Sequence, residues 1–186
     1  FLAGGPGSGK SFVTGNAFGG SGMKVINSDN AFERGLKKAG LSLKMPDSEV
    51  DARDMVRDRA KAITSKQLDL SLQGRLGIII DGTGRDYDKI SYQARALKEL
   101  GYDTHMVFVN TSLEVALERN KLRERTVPEF IAKKNWTTVQ SNIGRFQNMF
   151  GSMNFKVIDN NKSEKELVTQ TLTIASKYVR QKLNAP

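Results

Sequence analysis

Apolar positions along this chain follow two rhythms. Five short runs, at residues 1–3, 24–27, 76–81, 105–110 and 155–159, have the length and β-branched content of strands. Between them the spacing turns helical. Val56, Ala60, Ile63 and Leu70 fit one helical face, and Ile90, Ala94 and Leu97 another, with Gly101 where a left-handed C-cap belongs. Thr111 with Glu114 makes a capping box ahead of Leu113, Ala116 and Leu117. Pro128 suits the first turn of a helix that would bury Ala132, Trp136, Val139, Ile143 and Phe146. A second box, Ser163 with Glu166, opens a C-terminal helix with Leu167, Thr171, Ile174 and Tyr178 turned inward. This alternation predicts an α/β fold of three layers, a five-stranded parallel sheet with crossover helices on both faces. No repeat or linker interrupts the pattern, so one domain over residues 1–186 is expected. The first run reads as the surviving end of a central strand, and an intact protein is expected to begin a few residues earlier.

Composition narrows the class. With 38% hydrophobic and 26% charged residues the chain reads as globular rather than disordered. Its longest apolar run, residues 77–80, is far too short to span a membrane, and no membrane role is expected. There is no cysteine, which excludes a disulfide framework and thiolate metal sites; the expected setting is the cytoplasm. The net charge of +9 suits either a solubilising lysine-rich surface or a polyanionic partner. The basic residues are scattered rather than gathered in one tract, which argues against a dedicated nucleic-acid arm.

The first candidate chemistry follows the first strand. Gly4 to Ser11 spell GGPGSGKS, a phosphate-cradling loop. Several backbone N–H groups must approach a phosphate closely, and Gly4, Gly5, Gly7 and Gly9 carry no side chain to obstruct them. Pro6 and Ser8 complete the loop, and Phe12 follows in the helix whose positive end faces the anion. Lys10 adds a full charge at the β/γ phosphates, and the Ser11 hydroxyl can ligate Mg²⁺. A P-loop NTPase fold binding a nucleoside triphosphate, taken as ATP, is therefore expected.

The strand ends supply the next candidates. The second strand ends at Asp29 in KVINSD, on the side of the sheet where ligands bind. Asp29 could take a proton from an attacking hydroxyl, or it could merely cap the helix expected near Ala31; Ser28 or Asn30 could cap instead. The third strand ends at Asp81 in LGIIID, a usual place for a carboxylate that holds a metal-bound water. Thr83 and Arg85 follow on the same rim as candidates for contact with an acceptor, although Arg85 fits a surface charge equally well and Gly84 a plain turn.

Past the fourth strand lies ALERNKLRERTVP, residues 116–128. Arg119 and Arg123 share a helical side, and Arg125 lies just beyond. Three guanidiniums there suit a lid that neutralises charge on a transferring phosphoryl group; the competing reading is a solvated helix face with Glu118 and Glu124. A guanine-reading N-K-x-D motif is absent, since Asn120-Lys121-Leu122-Arg123 ends in the wrong charge. His105, the sole histidine, has no metal-binding companions and reads as structural, and Trp136 reads as core rather than a base-stacking platform.

In the order GGPGSGKS, INSDNAFE, IIIDGTGRDYDKISYQARALKELGYD and VNTSLEVALERNKLRERTVPEFI, the chain resembles the zeta-toxin and polynucleotide-kinase-like branch of phosphate-loop kinases, from Gly4 to about Ile131. The resemblance implies an ATP- and Mg²⁺-dependent kinase. It implies Asp29 as the base, Lys10 and Ser11 as phosphate and Mg²⁺ ligands, and Arg119, Arg123 and Arg125 as donor-phosphate ligands. The family often places an arginine a turn after the catalytic aspartate, whereas this chain reads Asp29-Asn30-Ala31-Phe32-Glu33. An acceptor phosphate held by that arginine in relatives would need another cation here, Arg34 or Arg85. The acceptor hydroxyl could belong to a nucleic-acid 5′ end, a sugar nucleotide or a small metabolite. The contrasting class is a nucleotide-dependent regulator that hydrolyses ATP slowly and transfers nothing. Whether an antitoxin-like inhibitor exists is not legible.

Overall fold

β-Branched and aromatic residues on the five short runs, and helix formers between them, produce alternating strands and helices in a computed structural model that describes residues 1–122, 127–161, 166, 169–170, 172–174 and 176–177. The elements run β1 (Leu2–Ala3), α1 (Lys10–Ala17), β2 (Lys24–Ile26), α2 (Ser28–Lys38), a 3₁₀ turn (Asp47–Glu49), α3 (Val50–Gln73), β3 (Ile78–Ile80), α4 (Tyr87–Glu99), β4 (Met106–Asn110), α5 (Leu113–Lys121), α6 (Glu129–Phe150) and β5 (Phe155–Asp159). Leu167, Thr171, Tyr178 and the Ser163 cap fall outside the described residues.

All strand pairs are parallel, β1 with β4, β4 with β5, and β2 with β3. The expected continuous five-stranded sheet is an overstatement. The regular ladder has three strands, in the order β1-β4-β5, and β2-β3 forms a second ladder. One bridge, Leu2 to Asp81, joins them, with Gly82 N–H donating to the Leu2 carbonyl at 3.0 Å. The reason is length. β1 has only two residues, too few to sustain a ladder on both sides.

Alternation along the strands divides the core between two faces. Ala3, Met106, Phe108 and Phe155 pack with Ala94 of α4 and Val139, Phe146 and Phe150 of α6. Leu2, Ile79, Val107, Val109 and Ile158 pack with Val13 of α1, and Ile174 lies against this cluster. A third, smaller cluster joins Phe32 and Leu36 of α2 to Ala60 of α3, with Val56 beside it. Ile63 and Leu70 do not share that burial, being 45% and 56% exposed. The contact stripe of α3 instead runs through Ala60 and Ser71, one position round the helix, because α2 covers only a narrow face.

Caps explain most boundaries. Gly101 adopts φ 86°, and the Gly101 and Tyr102 N–H groups donate to Lys98 and Leu97 carbonyls, closing α4 as expected. The cap of α5 is Ser112 rather than Thr111: Ser112 Oγ accepts from Val115 N–H at 3.3 Å, while Thr111 is buried. Pro128 stands at the N-cap of α6, and Trp136 is half-buried with Nε1 donating to the Thr111 carbonyl at 2.9 Å. No helix among the described residues is long and apolar enough to cross a membrane.

Candidate active site

Beyond the carboxyl ends of β1, β2 and β3 lies a cleft of about 550 Å³. Its floor is the loop Gly5 to Ser11, and its walls carry Asp29, Asp81, Thr83 and Arg119. Residues up to 130 positions apart in the chain, Gly5 and Asn135, thus meet in one place. Gly4 lies beneath the floor, its N–H donating to the Thr83 carbonyl at 3.2 Å, which ties the phosphate loop to the turn after β3.

The loop approaches its surroundings too closely for side chains. A Cβ on Gly7 would stand 2.4 Å from the Ala116 carbonyl oxygen, and one on Gly9 would stand 2.2 Å from Asn160 Nδ2. Both glycines have left-handed φ angles of 78° and 88°. Asn160 Nδ2 donates to the Ser8 carbonyl at 2.7 Å, and Arg119 Nη1 to the Gly7 carbonyl at 3.4 Å. Two carbonyls are thereby turned outward, which leaves loop N–H groups for an anion. Lys10 Nζ donates to the Gly4 carbonyl at 2.8 Å, holding its charge over the loop.

A single side chain organises the opposite wall. Asn27 directly follows β2, and its Oδ1 accepts from Asp29 N–H at 2.7 Å as the N-cap of α2. Its Nδ2 donates to Asp81 Oδ2 at 2.6 Å. Asp29 is therefore not the cap. It lies in the first turn of a helix that begins at Ser28, not near Ala31, and its carboxylate lines the cleft. Burial raises the Asp81 carboxyl above its ordinary range and Asp29 adds to the rise, while Lys10 and the Asn27 hydrogen bond oppose it.

The donor set fits Mg²⁺. Asp81 Oδ1 is buried without a hydrogen-bond partner, where buried polar atoms are nearly always satisfied. Ser11 lines the same cleft with a hard hydroxyl oxygen. No group of three or more histidine, cysteine or carboxylate side chains that could hold a metal occurs among the described residues. The two oxygens of Asp81 and Ser11 suit a cation which takes one or two protein oxygens and completes its shell with phosphate and water.

Not every expected residue is found at the cleft. Phe12 does not line the cleft; it packs against the Leu2–Val13 core, because that face of α1 meets the sheet. Arg85 is exposed and outside the cleft, its Nη1 donating to Asn135 Oδ1 at 3.1 Å. The buried Asn142 amide draws the Gly84 and Arg85 carbonyls toward α6, which directs the Arg85 side chain along that helix. Arg123 and Arg125 lie outside the described residues. Sequence reasoning missed Asn27, Asn160 and the cleft residue Arg57. The first two had a signal: β2 runs into Asn27, β4 ends at Asn110, and Asn160 directly follows β5, all at the ligand-facing rim.

Comparison with known proteins agrees with this geometry. A family model described as AAA domain, AAA_33, matches residues 1–146. No curated protein sequence matches the chain. Among solved structures, a gluconokinase from Sinorhizobium meliloti 1021 superimposes with a TM-score of 0.58 at 18% identity, covering 98% of this chain and 93% of that one. A shikimate kinase from Acinetobacter baumannii in complex with shikimate gives 0.54 at 17%, covering 98% and 93%. A structure of the PezAT chromosomal toxin–antitoxin system of Streptococcus pneumoniae gives 0.53 at 16%, covering 99% and 86%. At these identities the likeness is one of fold, the P-loop NTPase-like α/β fold.

Proposed function

The chain belongs to the AAA domain family AAA_33, and on that premise we propose that it is an ATP- and Mg²⁺-dependent kinase that transfers the γ-phosphoryl group to a hydroxyl of a second molecule. One observation carries the reading: a carboxylate outside the phosphate loop, Asp29, shares a cleft with that loop and Asp81. Binding a nucleotide needs only the loop. A second carboxylate across the cleft suits a base for an acceptor.

In this reading the N–H groups of Gly7, Gly9, Lys10 and Ser11 and the Lys10 ammonium hold the β and γ phosphates, and Arg119 stabilises charge that grows on the γ-phosphoryl oxygens. Arg123 and Arg125 would extend that role. Mg²⁺, held by Ser11 and by Asp81 directly or through water, would neutralise the β/γ oxygens and fix their orientation. Asp29 accepts the acceptor's hydroxyl proton as its oxygen attacks phosphorus. The bond from γ-phosphorus to the bridging oxygen breaks, leaving ADP and a phosphate ester. Thr83 would orient the acceptor from the β3 side.

The acceptor class divides into nucleic-acid 5′ ends, as in polynucleotide kinases, and sugar nucleotides or metabolites, as in zeta-toxin-like and small-molecule kinases. Salt separates them. Oligonucleotide affinity that falls steeply with added salt selects the former, because each phosphate contact releases counterions. The reaction itself is tested by ADP release with these acceptors. Acceptor-stimulated release that Asp29→Asn reduces supports the proposal; an Asp29→Asn protein as fast as the parent removes Asp29 from the mechanism.

A further inference from the structure

The cleft continues past Asp29 into a corner between α2, α3 and the segment that joins them. Arg57 of α3 lines it, with Asn30 and Glu33 of α2 and Met45 of the joining segment. The Arg57 guanidinium carbon stands 4.1 Å from the centroid of the Phe32 ring, and Phe32 is only 1% exposed. A half-buried guanidinium over a fixed ring is restrained in position at the cleft it lines. Arg57 takes part in none of the ion pairs found among the described residues, whereas Glu33 in the same corner pairs with Lys37 at 3.4 Å. The ring contact favours this placement, and it leaves the guanidinium at the cleft outside those ion pairs, where an anionic ligand could meet it.

The facing wall is strained. Met45 adopts φ 53°, a left-handed conformation costly to a residue with a side chain. Arg75, the other such non-glycine residue among those described, ends α3 with its N–H on the Leu72 carbonyl. Met45 likewise closes a turn, its N–H donating to the Ser42 carbonyl at 3.2 Å, but that turn stands apart from any helix end and on the rim of the cleft. Two side chains fix the segment. Arg53 Nη1 donates to the Met45 carbonyl at 2.9 Å, and Glu49 Oε2 accepts from Ser42 N–H at 2.9 Å. Strain that is held in place by neighbouring groups, at the rim of a cleft, is a common mark of a ligand clamp.

We infer that Arg57 is the acceptor-recognition residue of this site: it binds a carboxylate or phosphate on the molecule whose hydroxyl meets Asp29, with Met45 bounding the subsite. The planar fork of N–H donors matches two oxygens of either group. The identity of the bound molecule as an acceptor rests on the kinase reading; the anion site does not. Arg34 and Arg85, the cations expected from sequence for this task, both lie outside the cleft, and Arg34 Nε instead donates to the Asn30 carbonyl at 3.3 Å.

The test begins with protein saturated with Mg²⁺ and a non-hydrolysable ATP analogue, so that the phosphate loop is filled. Inorganic phosphate and, separately, acetate are titrated while the Arg57 side-chain N–H signal is followed by nitrogen-15 NMR. Arg57→Met, which keeps an apolar stem over Phe32, identifies the signal, and thermal melts verify its fold. A saturable shift with at least one anion is expected, unaltered in Arg34→Ala and at least tenfold weaker in Arg57→Lys when read on neighbouring amides. Tighter phosphate binding selects a phosphorylated partner, and acetate as good as phosphate selects a carboxylate. No saturable shift with either anion, or binding that survives Arg57→Met, overturns the inference. The two readings fail separately. Anion binding without any phosphoryl transfer would sink the kinase reading alone. Transfer whose acceptor KM changes less than twofold in Arg57→Met would sink the acceptor-recognition role of Arg57 and leave the kinase reading standing.

Discussion

In the proposed kinase, the nucleotide side of the cleft would be built from backbone, and the acceptor side from side chains. On the nucleotide side, a few consecutive residues supply N–H groups, and Asn160 and Arg119 fix the loop by holding its carbonyls. On the acceptor side, α2 and α3 meet over a small cluster, and Arg57, Met45 and Glu33 reach the cleft from well-separated positions. The first construction recognises what all nucleoside triphosphates share. The second can change with single substitutions and leave the phosphate loop intact, so it is where specificity would differ among proteins with this fold.

The sharpest way to break that division is at Asp29. Asp29→Asn should lower acceptor phosphorylation by about 10²–10⁴-fold, the usual range for a general base, and leave affinity for the ATP analogue nearly unchanged by calorimetry. A parallel loss of nucleotide affinity would mean that the two sides are not separate. Gly9→Ala should do the reverse. Its Cβ would meet Asn160 Nδ2 at 2.2 Å in a left-handed backbone, so nucleotide affinity should fall by about 100-fold, or about 3 kcal/mol. The Arg57 signal should still respond to phosphate.

Asn27 joins the two sides, and its loss should be felt in stability. Asn27→Ala removes the α2 cap and the hydrogen bond to Asp81 together. A cost of about 1–2 kcal/mol is expected, which lowers the Tm by about 3–6 °C in calorimetric melts.

Asp81 should give the smallest effect, and one of opposite sign. Burial raises its carboxyl, so the folded chain keeps the proton at pH values where the unfolded chain, with the ordinary value of 3.8, has lost it. Stability of the nucleotide-free protein therefore falls as pH rises from 3.8 through the folded value, and the cost is fully present above it. Asp81→Asn should raise the nucleotide-free Tm by about 1–3 °C, flatten that pH slope and abolish the response of activity to Mg²⁺.

What could be read in advance follows the same division. GGPGSGKS is a local motif whose function depends on consecutive residues, and the loop forms the floor of the cleft. Asp29 and Asp81 were visible because a strand end is a sequence feature with a fixed place in a parallel sheet. Arg57 was invisible because its importance comes from α2 and α3 packing through Phe32, and the spacing of α3 pointed to Ile63 and Leu70, which are exposed. Arg85, read equally as an acceptor contact or a surface charge, stands outside the cleft for a related reason: the Asn142 amide, 57 residues away, holds the carbonyl of its turn. Thr111 lost its capping role to Ser112 by one position, a shift that short capping patterns do not resolve.

The central claim is that the phosphate held by the loop is given to another molecule. Incubation with Mg²⁺ and ATP labelled with heavy oxygen in the γ-phosphoryl group, in the presence of pooled sugar nucleotides, hydroxylated metabolites and 5′-hydroxyl oligonucleotides, tests it by mass spectrometry. One acceptor class should gain the labelled phosphoryl group, and the gain should vanish with Asp29→Asn. Label found only in inorganic phosphate, released at the same rate with and without the pool, would contradict the account.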